Sequence, residues 1–302
     1  MLKNQFKYPI VFCANGEFKN HSLVAIISIL ENNPEFTFKF YLLCSSHDPS
    51  WSKQTGDFLA SYGSSFIEIP VNEQDYSSFP VMHHFSFACY YRIMIPELIP
   101  ESEYIYMDSD IICNGSLAPF LEVDMTGYAV AAVEDPVYKW KESLGMSSSS
   151  RYFNSGVMLV DATIWNQKNI RTEAVEFLVQ FPDKIRFVDQ CALNAILDGS
   201  WRRLPPRFNQ QGILYRQDFE PGDSDWSNRE MEEAVQHPIL VHYTGPSKPW
   251  QYNCPHPLKH LYWQYQRRSP FRLKSPVGMT WSDHIKQLVP KSLKQKIKDL
   301  FN

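Results

Sequence analysis

Residues 9–44, PIVFCANGEFKNHSLVAIISILENNPEFTFKFYLLC, decide the fold. Residues 9–13 are a short continuous apolar run, the pattern of a fully buried strand. Over 21–32 the residues Leu23, Ile26, Ile27 and Leu30 recur at i, i+3, i+4 and i+7, one face of a helix. Asn20 reads as its N-cap and Pro34 as its stop. Residues 38–44 read as a second strand, 50–62 as a helix and 65–70 (SFIEIP) as a third strand. This β-α-β-α-β alternation predicts an α/β fold with a mostly parallel central sheet and helices on both faces. Such sheets bind ligands at the carboxyl ends of their strands, where the strand order reverses.

Further along, 85–95 predicts a buried helix stopped by Pro96. Strands are expected over 103–107 (EYIYM), 128–133 (YAVAAV), 156–160 (GVMLV) and 239–243 (ILVHY), and helices over 171–181 and 189–197. Residues 200–235 have weak periodicity and many Pro, Gly and Asp residues, so they read mostly as loop.

The chain has 302 residues, 44% hydrophobic and 21% charged, enough for one large globular core and far from the composition of disorder. The polar, basic start from Met1 to Tyr8 has no apolar core of a leader peptide. No apolar run approaches the roughly 20 residues of a membrane span. Six cysteines, at 13, 44, 89, 113, 191 and 254, form no CxxC pair, and a cytosolic protein with reduced thiols is expected. Cys13 and Cys44 lie in strand-like runs and are expected in the core.

The net charge of −4 conceals an asymmetry. From Arg267 onward nine basic residues face only Asp283 and Asp299, whereas the rest of the chain has 20 basic against 31 acidic residues. A basic tail on an acidic body points to an anionic partner.

Four segments carry candidate chemistry. In IYMDSDII, Asp108 and Asp110 leave an apolar strand two residues apart, so on extended backbone they point the same way. Two carboxylates aimed at one point suit a hard divalent ion, Mn²⁺ or Mg²⁺. With 16 Asp in the chain, chance alone gives about one D-x-D. A second copy, Asp223-Ser224-Asp225, follows no strand and reads as a solvated turn. In His242-Tyr243-Thr244-Gly245-Pro246-Ser247-Lys248-Pro249-Trp250, a strand delivers an imidazole able to be a third ligand, and Lys248 offers a point charge to a phosphate that Gly245 lets approach. Taken alone, this segment reads rather as a core-edge histidine beside a solvated lysine. Asn154 and Ser155 before Gly156 are able to bond sugar hydroxyls or simply to form a turn. Asp189-Gln190 opens a helix, where Asp is usually a cap.

In the order D-S-D, F-N-S-G-V, D-Q-x-x-L-N and H-Y-x-G-x-x-K-P-W, with PIVFCAN and HHFSFACYYRI before them, these segments resemble glycosyltransferase family 8, over about residues 8–262. The likeness is greatest to bacterial lipopolysaccharide galactosyl- and glucosyltransferases. The resemblance implies a retaining, metal-dependent enzyme on a single GT-A-type nucleotide-diphospho-sugar transferase domain. It would move galactose or glucose from UDP-galactose or UDP-glucose to a glycan or glycolipid acceptor. It implies that Asp108, Asp110 and His242 bind Mn²⁺, that Gly245 and Lys248 contact phosphate, and that Ala14, Asn15, Glu17 and Phe18 cradle uridine. It places Arg92, Asn154, Ser155, Asp189 and Gln190 around the donor sugar, with Arg92, Asp189 and Gln190 nearest the chemistry. His84 and Asp135 fall on the acceptor side.

Three positions depart from the family pattern. Asn15 replaces a frequent aspartate but keeps an oxygen able to accept from the uracil N–H. Phe18 replaces a commoner tyrosine and keeps its stacking face. Cys191 stands where many members have a third acid, which argues against a covalent route through that position.

The expected division is a catalytic domain over 1–264 and a basic tail over 265–302. In KSLKQKIKDLF, Leu293, Ile297, Leu300 and Phe301 share a helical face while Lys291, Lys294 and Lys298 lie largely opposite. That pattern suits a helix on an anionic lipid surface, hence a cytoplasmic protein peripheral to the inner face of the cell membrane. A helix packed on the body or on a partner protein is the alternative. Two other functional classes have weaker support. A catalytically weak UDP-sugar or glycan-binding protein on the same fold has only Asn15 and Cys191 in its favour. A nucleotidyltransferase needs a Gly-rich basic loop that CANGEFKNH does not supply. Basic residues confined to the tail argue against nucleic acid.

Overall fold

A computed structural model of the chain describes residues 7–80, 87–220, 222, 224–281 and 283. The strands are β1 (Lys7–Cys13), β2 (Thr37–Cys44), β3 (Ser65–Pro70), β4 (Glu103–Met107), β5 (Ile111–Cys113), β6 (Val130–Glu134), β7 (Phe153–Asp161), β8 (Arg202–Arg203), β9 (Gln210–Gln211) and β10 (Leu240–His242). The helices are α1 (Phe18–Asn32), α2 (Pro49–Ala60), α3 (Ala88–Leu98), α4 (Ala118–Leu121), α5 (Ala162–Gln167), α6 (Ile170–Gln180), α7 (Val188–Ile196), α8 (Asn228–Gln236) and α9 (Lys259–Gln266).

Seven strands form one mostly parallel sheet in the order β3-β2-β1-β4-β7-β6-β8, in which only β7 runs against its neighbours. The chain moves outward from β1 to β3 and then restarts at β4 on the other side of β1. The strand order therefore reverses between β1 and β4, at the carboxyl end of which Asp108 and Asp110 sit. Apolar side chains cover both faces, so β1, β2 and β4 read as continuous apolar runs. Cys13 and Cys44 are buried in β1 and β2 as expected.

A second, three-stranded sheet, β5-β10-β9, lies beside the first. The strand expected at 239–243 thus belongs to this separate sheet, where Val241 pairs with Ile112 and Gln210.

Several local expectations are corrected. Helix α1 begins at Phe18, ahead of Asn20, whose side chain accepts from Trp51 Nε1 at 2.8 Å instead of capping. Helix α3 runs past Pro96 to Leu98, where the Ile99 N–H still reaches the Ile95 carbonyl. Residues 200–235 contain β8, β9 and α8, the last started by a capping box between Ser227 and Glu230. Asp225 pairs with Arg151, while Asp223 lies outside the described residues. The chain after α9 returns to the body. Phe271 stacks on Trp51 at 5.7 Å, Arg268 pairs with Glu31, and Val277 bridges to Gln251. The amphipathic segment 291–302 lies outside the described residues, as does His84. Among the described residues no helix is long and apolar enough to cross a membrane.

Candidate active site

The loop after β4 and the end of β10 meet at the mouth of the main sheet. Ligand atoms of Asp108, Asp110 and His242 all lie within 4.8 Å of one another, and among the described residues no other such group of His, Cys, Asp or Glu occurs. His242 Nε2 is 3.3 Å from Asp110 Oδ1 and 3.9 Å from Asp108 Oδ2. The Lys248 ammonium also sits on Asp110 Oδ2 and donates to the Tyr243 carbonyl at 3.0 Å. Burial opposes the charge on Asp110, but Lys248 and His242 outweigh it and hold the carboxyl below the ordinary range. Two carboxylate oxygens and one imidazole nitrogen suit a divalent cation.

Gly156 provides a second sign of fit. A Cβ on it would press on His242 Cε1 and lie 2.7 Å from Asp108 Oδ2, so only glycine leaves room for both ligands. The neighbouring backbone is irregular for the same purpose. The β6–β7 register jumps from Ala132↔Met158 to Val133↔Asn154, leaving Ser155, Gly156 and Val157 without partners on β6. Such bulges re-aim side chains beside active sites. Asn154 and Ser155 therefore lie within β7 and not in a turn before it.

Arg92 ties the metal group to α7. Its Nη2 is 3.1 Å from Asp108 Oδ1 and its Nε is 3.0 Å from Asp189 Oδ2, while Nη1 donates to the Ser155 carbonyl and hydroxyl at 2.8 and 2.9 Å. Burial alone would lower the Arg92 pKa, but Asp108 and Asp189 raise it well above the ordinary value, so it stays charged. Asp189 is not the cap of α7, which follows Phe187. Burial pushes its carboxyl up to about 7 against the pull of Arg92. Its Oδ1 is buried and has no hydrogen-bond partner among the described residues. Val188, just before it, holds φ at +32°, a strained conformation for a β-branched residue. Gln190 accepts from the Ser155 N–H at 3.0 Å and donates to Asp135 Oδ2 at 3.1 Å. Burial raises the Asp135 pKa, with Gln190 opposing.

Around β1 the remaining expected residues separate. Ala14 is buried, Glu17 and Phe18 are exposed, and Phe18 meets Trp250 edge-on at 5.6 Å. The Asn15 carbonyl oxygen accepts from the Ser45 N–H at 2.7 Å, and its amide donates to Glu73 and Tyr91. Gly245 turns the loop after β10 with φ +87°.

Cys191 is fully buried. Its sulfur accepts from the Phe187 N–H at 3.2 Å and from the Tyr152 hydroxyl at 3.4 Å, and its thiol donates to Tyr138 at 3.7 Å. It anchors the start of α7.

Asn209 beside the metal group is absent from the sequence reading. Asn209 Oδ1 holds His242 Nδ1, and its amide donates to Asn154 Oδ1 at 2.9 Å. It lies in the stretch read as loop, where only its place next to β9 reveals it.

The family model for glycosyl transferase family 8 matches residues 9–254. General stress protein A of Bacillus subtilis is 30% identical over 263 residues, covering 85% of this chain and 92% of that one. Lipopolysaccharide 1,3-galactosyltransferase of Salmonella typhimurium is 26% identical, covering 88% of this chain and 79% of its own length. Lipopolysaccharide 1,2-glucosyltransferase of Escherichia coli is 24% identical, covering 84% and 75%. The crystal structure of the galactosyltransferase LgtC with donor and acceptor sugar analogs superposes with a TM-score of 0.78 at 24% identity, covering 88% of this chain and 98% of that one. At that identity the likeness establishes the fold, the GT-A arrangement.

Proposed function

The chain belongs to glycosyl transferase family 8, and from that premise we propose that it transfers galactose or glucose from a UDP-sugar to a lipopolysaccharide or other surface glycan, with retention of anomeric configuration. The observation that carries the proposal is the convergence of Asp108, Asp110 and His242 within 4.8 Å at the point where strand order reverses. The hexose and the glycan acceptor follow from the names of the lipopolysaccharide galactosyl- and glucosyltransferase relatives.

Asp108, Asp110 and His242 would hold Mn²⁺ or Mg²⁺, whose charge, when bound, favours departure of the UDP diphosphate. Lys248, on the loop that Gly245 turns, offers its ammonium to a phosphate oxygen. The unpartnered Oδ1 of Asp189 accepts a hydroxyl of the donor sugar, and Asn154, Ser155 and Gln190 line the same pocket. Arg92 joins Asp108 to Asp189 and so sets the spacing between the diphosphate end and the sugar end. The acceptor hydroxyl, on the side of Asp135, attacks from the face that UDP leaves, and a phosphate oxygen takes its proton. The neutral amide of Gln190 and the buried thiol of Cys191 support a route without a covalent sugar–enzyme bond, unlike the two-carboxylate retaining hydrolases. Electrostatic stabilisation of the leaving diphosphate is then the main contribution.

A panel of UDP-sugars with Mn²⁺, scored by UDP release and by thermal shift, tests this reading. Turnover of UDP-galactose or UDP-glucose, abolished in Asp108→Ala, is expected. Normal turnover by Asp108→Ala would sink the metal assignment, and a donor-induced shift without UDP release would favour a binding protein.

We place the catalytic domain at 1–264 and assign the tail, 265–302, to docking on an anionic membrane. Its amphipathic pattern supports this, at about 1 kcal/mol per basic residue near the surface. Described residues at its start and just before it carry the same chemistry. Lys259, His260, Trp263, Arg267 and Arg268 border an open depression of about 660 Å³, and Trp281 is 85% exposed. Truncation after residue 283 keeps the Phe271–Trp51 stack, removes five of the nine basic residues and should sharply weaken flotation with phosphatidylglycerol vesicles. Unchanged flotation would refute the assignment.

A further inference from the structure

Three parallel strands end side by side, and a residue within three positions of each end contributes to one polar cluster. Asn15 lies just beyond β1, Ser45 just beyond β2 and Glu73 shortly beyond β3. Asn15 is fully oriented by its neighbours. Its oxygen accepts from the Ser45 N–H at 2.7 Å, and its amide nitrogen donates to Glu73 Oε1 at 3.0 Å and to the Tyr91 hydroxyl oxygen at 3.2 Å. Turning the amide over would oppose donor to donor at Ser45 and acceptor to acceptor at Glu73, so only one orientation satisfies the cluster.

Glu73 is held just as firmly, although it is exposed to solvent. Its Oε1 accepts from Asn15 and, at 2.9 Å, from the Tyr91 hydroxyl, and Tyr91 is itself buried in the core. The backbone beneath is fixed by Asn72, which caps the short turn Glu73–Tyr76, and by Tyr76, buried with its ring 5.1 Å from Tyr91. The second oxygen, Oε2, has no partner among the described residues. A solvent-facing glutamate normally samples many rotamers. This one is a pre-positioned anionic acceptor at the carboxyl edge of the sheet.

The cluster lies on the β1–β2–β3 side of the point where strand order reverses, and the donor-sugar residues on β7 and α7 lie on the other side, with Asp108 and Asp110 between. A nucleoside attached to a diphosphate at the metal group would extend toward the cluster. We infer that Glu73 is a base-specificity residue, its free carboxylate oxygen accepting the imide N3–H of uracil. The inference rests on the UDP-sugar reading above. Asn15 then acts as a positioning residue, its donors spent on Glu73. A carboxylate accepts more strongly than an amide and repels a ring nitrogen that lacks hydrogen, so it selects for a base that donates at this position.

The test is calorimetric titration of the full chain, with Mn²⁺, by UDP and by UDP methylated at uracil N3. Wild type should bind UDP roughly 10–100-fold tighter than the methylated compound, the range expected for one charge-assisted hydrogen bond. Glu73→Ala should weaken UDP by a similar factor and close the gap, while Glu73→Gln, which keeps a neutral acceptor, should retain part of it. Glu73→Ala with unchanged UDP affinity and an unchanged gap would overturn this inference and leave the transferase reading standing. Wild type that binds neither compound would overturn the transferase reading itself, and this inference with it.

Discussion

Asn209 Oδ1 lies 2.9 Å from His242 Nδ1 and determines which ring nitrogen carries the proton. With Nδ1–H donating to Asn209, the lone pair of Nε2 faces Asp108 and Asp110, as a metal ligand requires. Asn209→Ala should weaken Mn²⁺ binding roughly 10–100-fold and, because the buried side chain serves both His242 and Asn154, should also cost about 1–3 kcal/mol of apo stability. Titration of Mn²⁺ by electron paramagnetic resonance reads the affinity, and equal affinity in the two proteins would show that the bond does not orient the imidazole.

Gly156→Ala should be more damaging at the metal group than at the fold. Its Cβ would lie 2.7 Å from Asp108 Oδ2, inside van der Waals contact, and would push against the His242 ring. The expected result is a folded protein whose melting temperature no longer responds to Mn²⁺ and whose UDP release falls at least about 100-fold. A normal Mn²⁺ response would mean that the strand yields and the ligands keep their places.

Cys191→Ala should leave turnover per folded molecule within a few-fold of wild type. The sulfur serves the Phe187 N–H and the Tyr152 hydroxyl, so its loss should cost about 1–3 kcal/mol of stability instead. Urea denaturation and kcat separate the two effects. A collapse of kcat at unchanged stability would reopen covalent catalysis through this position.

His21 makes stability depend on pH. Its ring stacks on Trp250 at 3.6 Å, its Nδ1 is 2.8 Å from the Tyr262 hydroxyl, and burial lowers its pKa to about 4, with Asp110 opposing. The folded state therefore keeps the ring neutral while the unfolded chain, with an ordinary value near 6.5, takes up a proton. This contribution is complete above about pH 6.5 and is lost as pH falls toward 4, by on the order of 1.4 kcal/mol per pH unit within that window. His21→Phe keeps the stack and cannot charge. Wild type should lose its advantage over the variant between pH 7.5 and pH 5, and parallel melting curves against pH would refute the assignment.

The first half of the main sheet was legible because its signals are local. Periodicity over 9–70 is enough to read β1, α1, β2, α2 and β3 without knowing what they touch. In the three-stranded sheet only β10 was legible, from the apolar run ILVHY; β5 and β9 have three and two residues, too few for any period, so the sheet they form with β10 was not. Helix α8 was hidden by its polarity, although Ser227 and Glu230 are a capping-box pair visible in the sequence. Asp108, Asp110 and His242 were found because motif order singled them out. Asn209 and Glu73 were missed because each matters through a neighbour distant in sequence, His242 for one and Asn15 and Tyr91 for the other.

Among the described residues strand β5 pairs only with β10, yet Ile111–Cys113 is synthesised long before Leu240–His242. A nascent chain emerging from the ribosome thus exposes an unmatched strand edge beside Asp110 until Leu240–His242 appears. Capacity for metal binding and closure of that edge arrive together, so an incomplete translation product is both inert and prone to stick. Chaperone capture of such intermediates should peak just before residue 240 clears the exit tunnel.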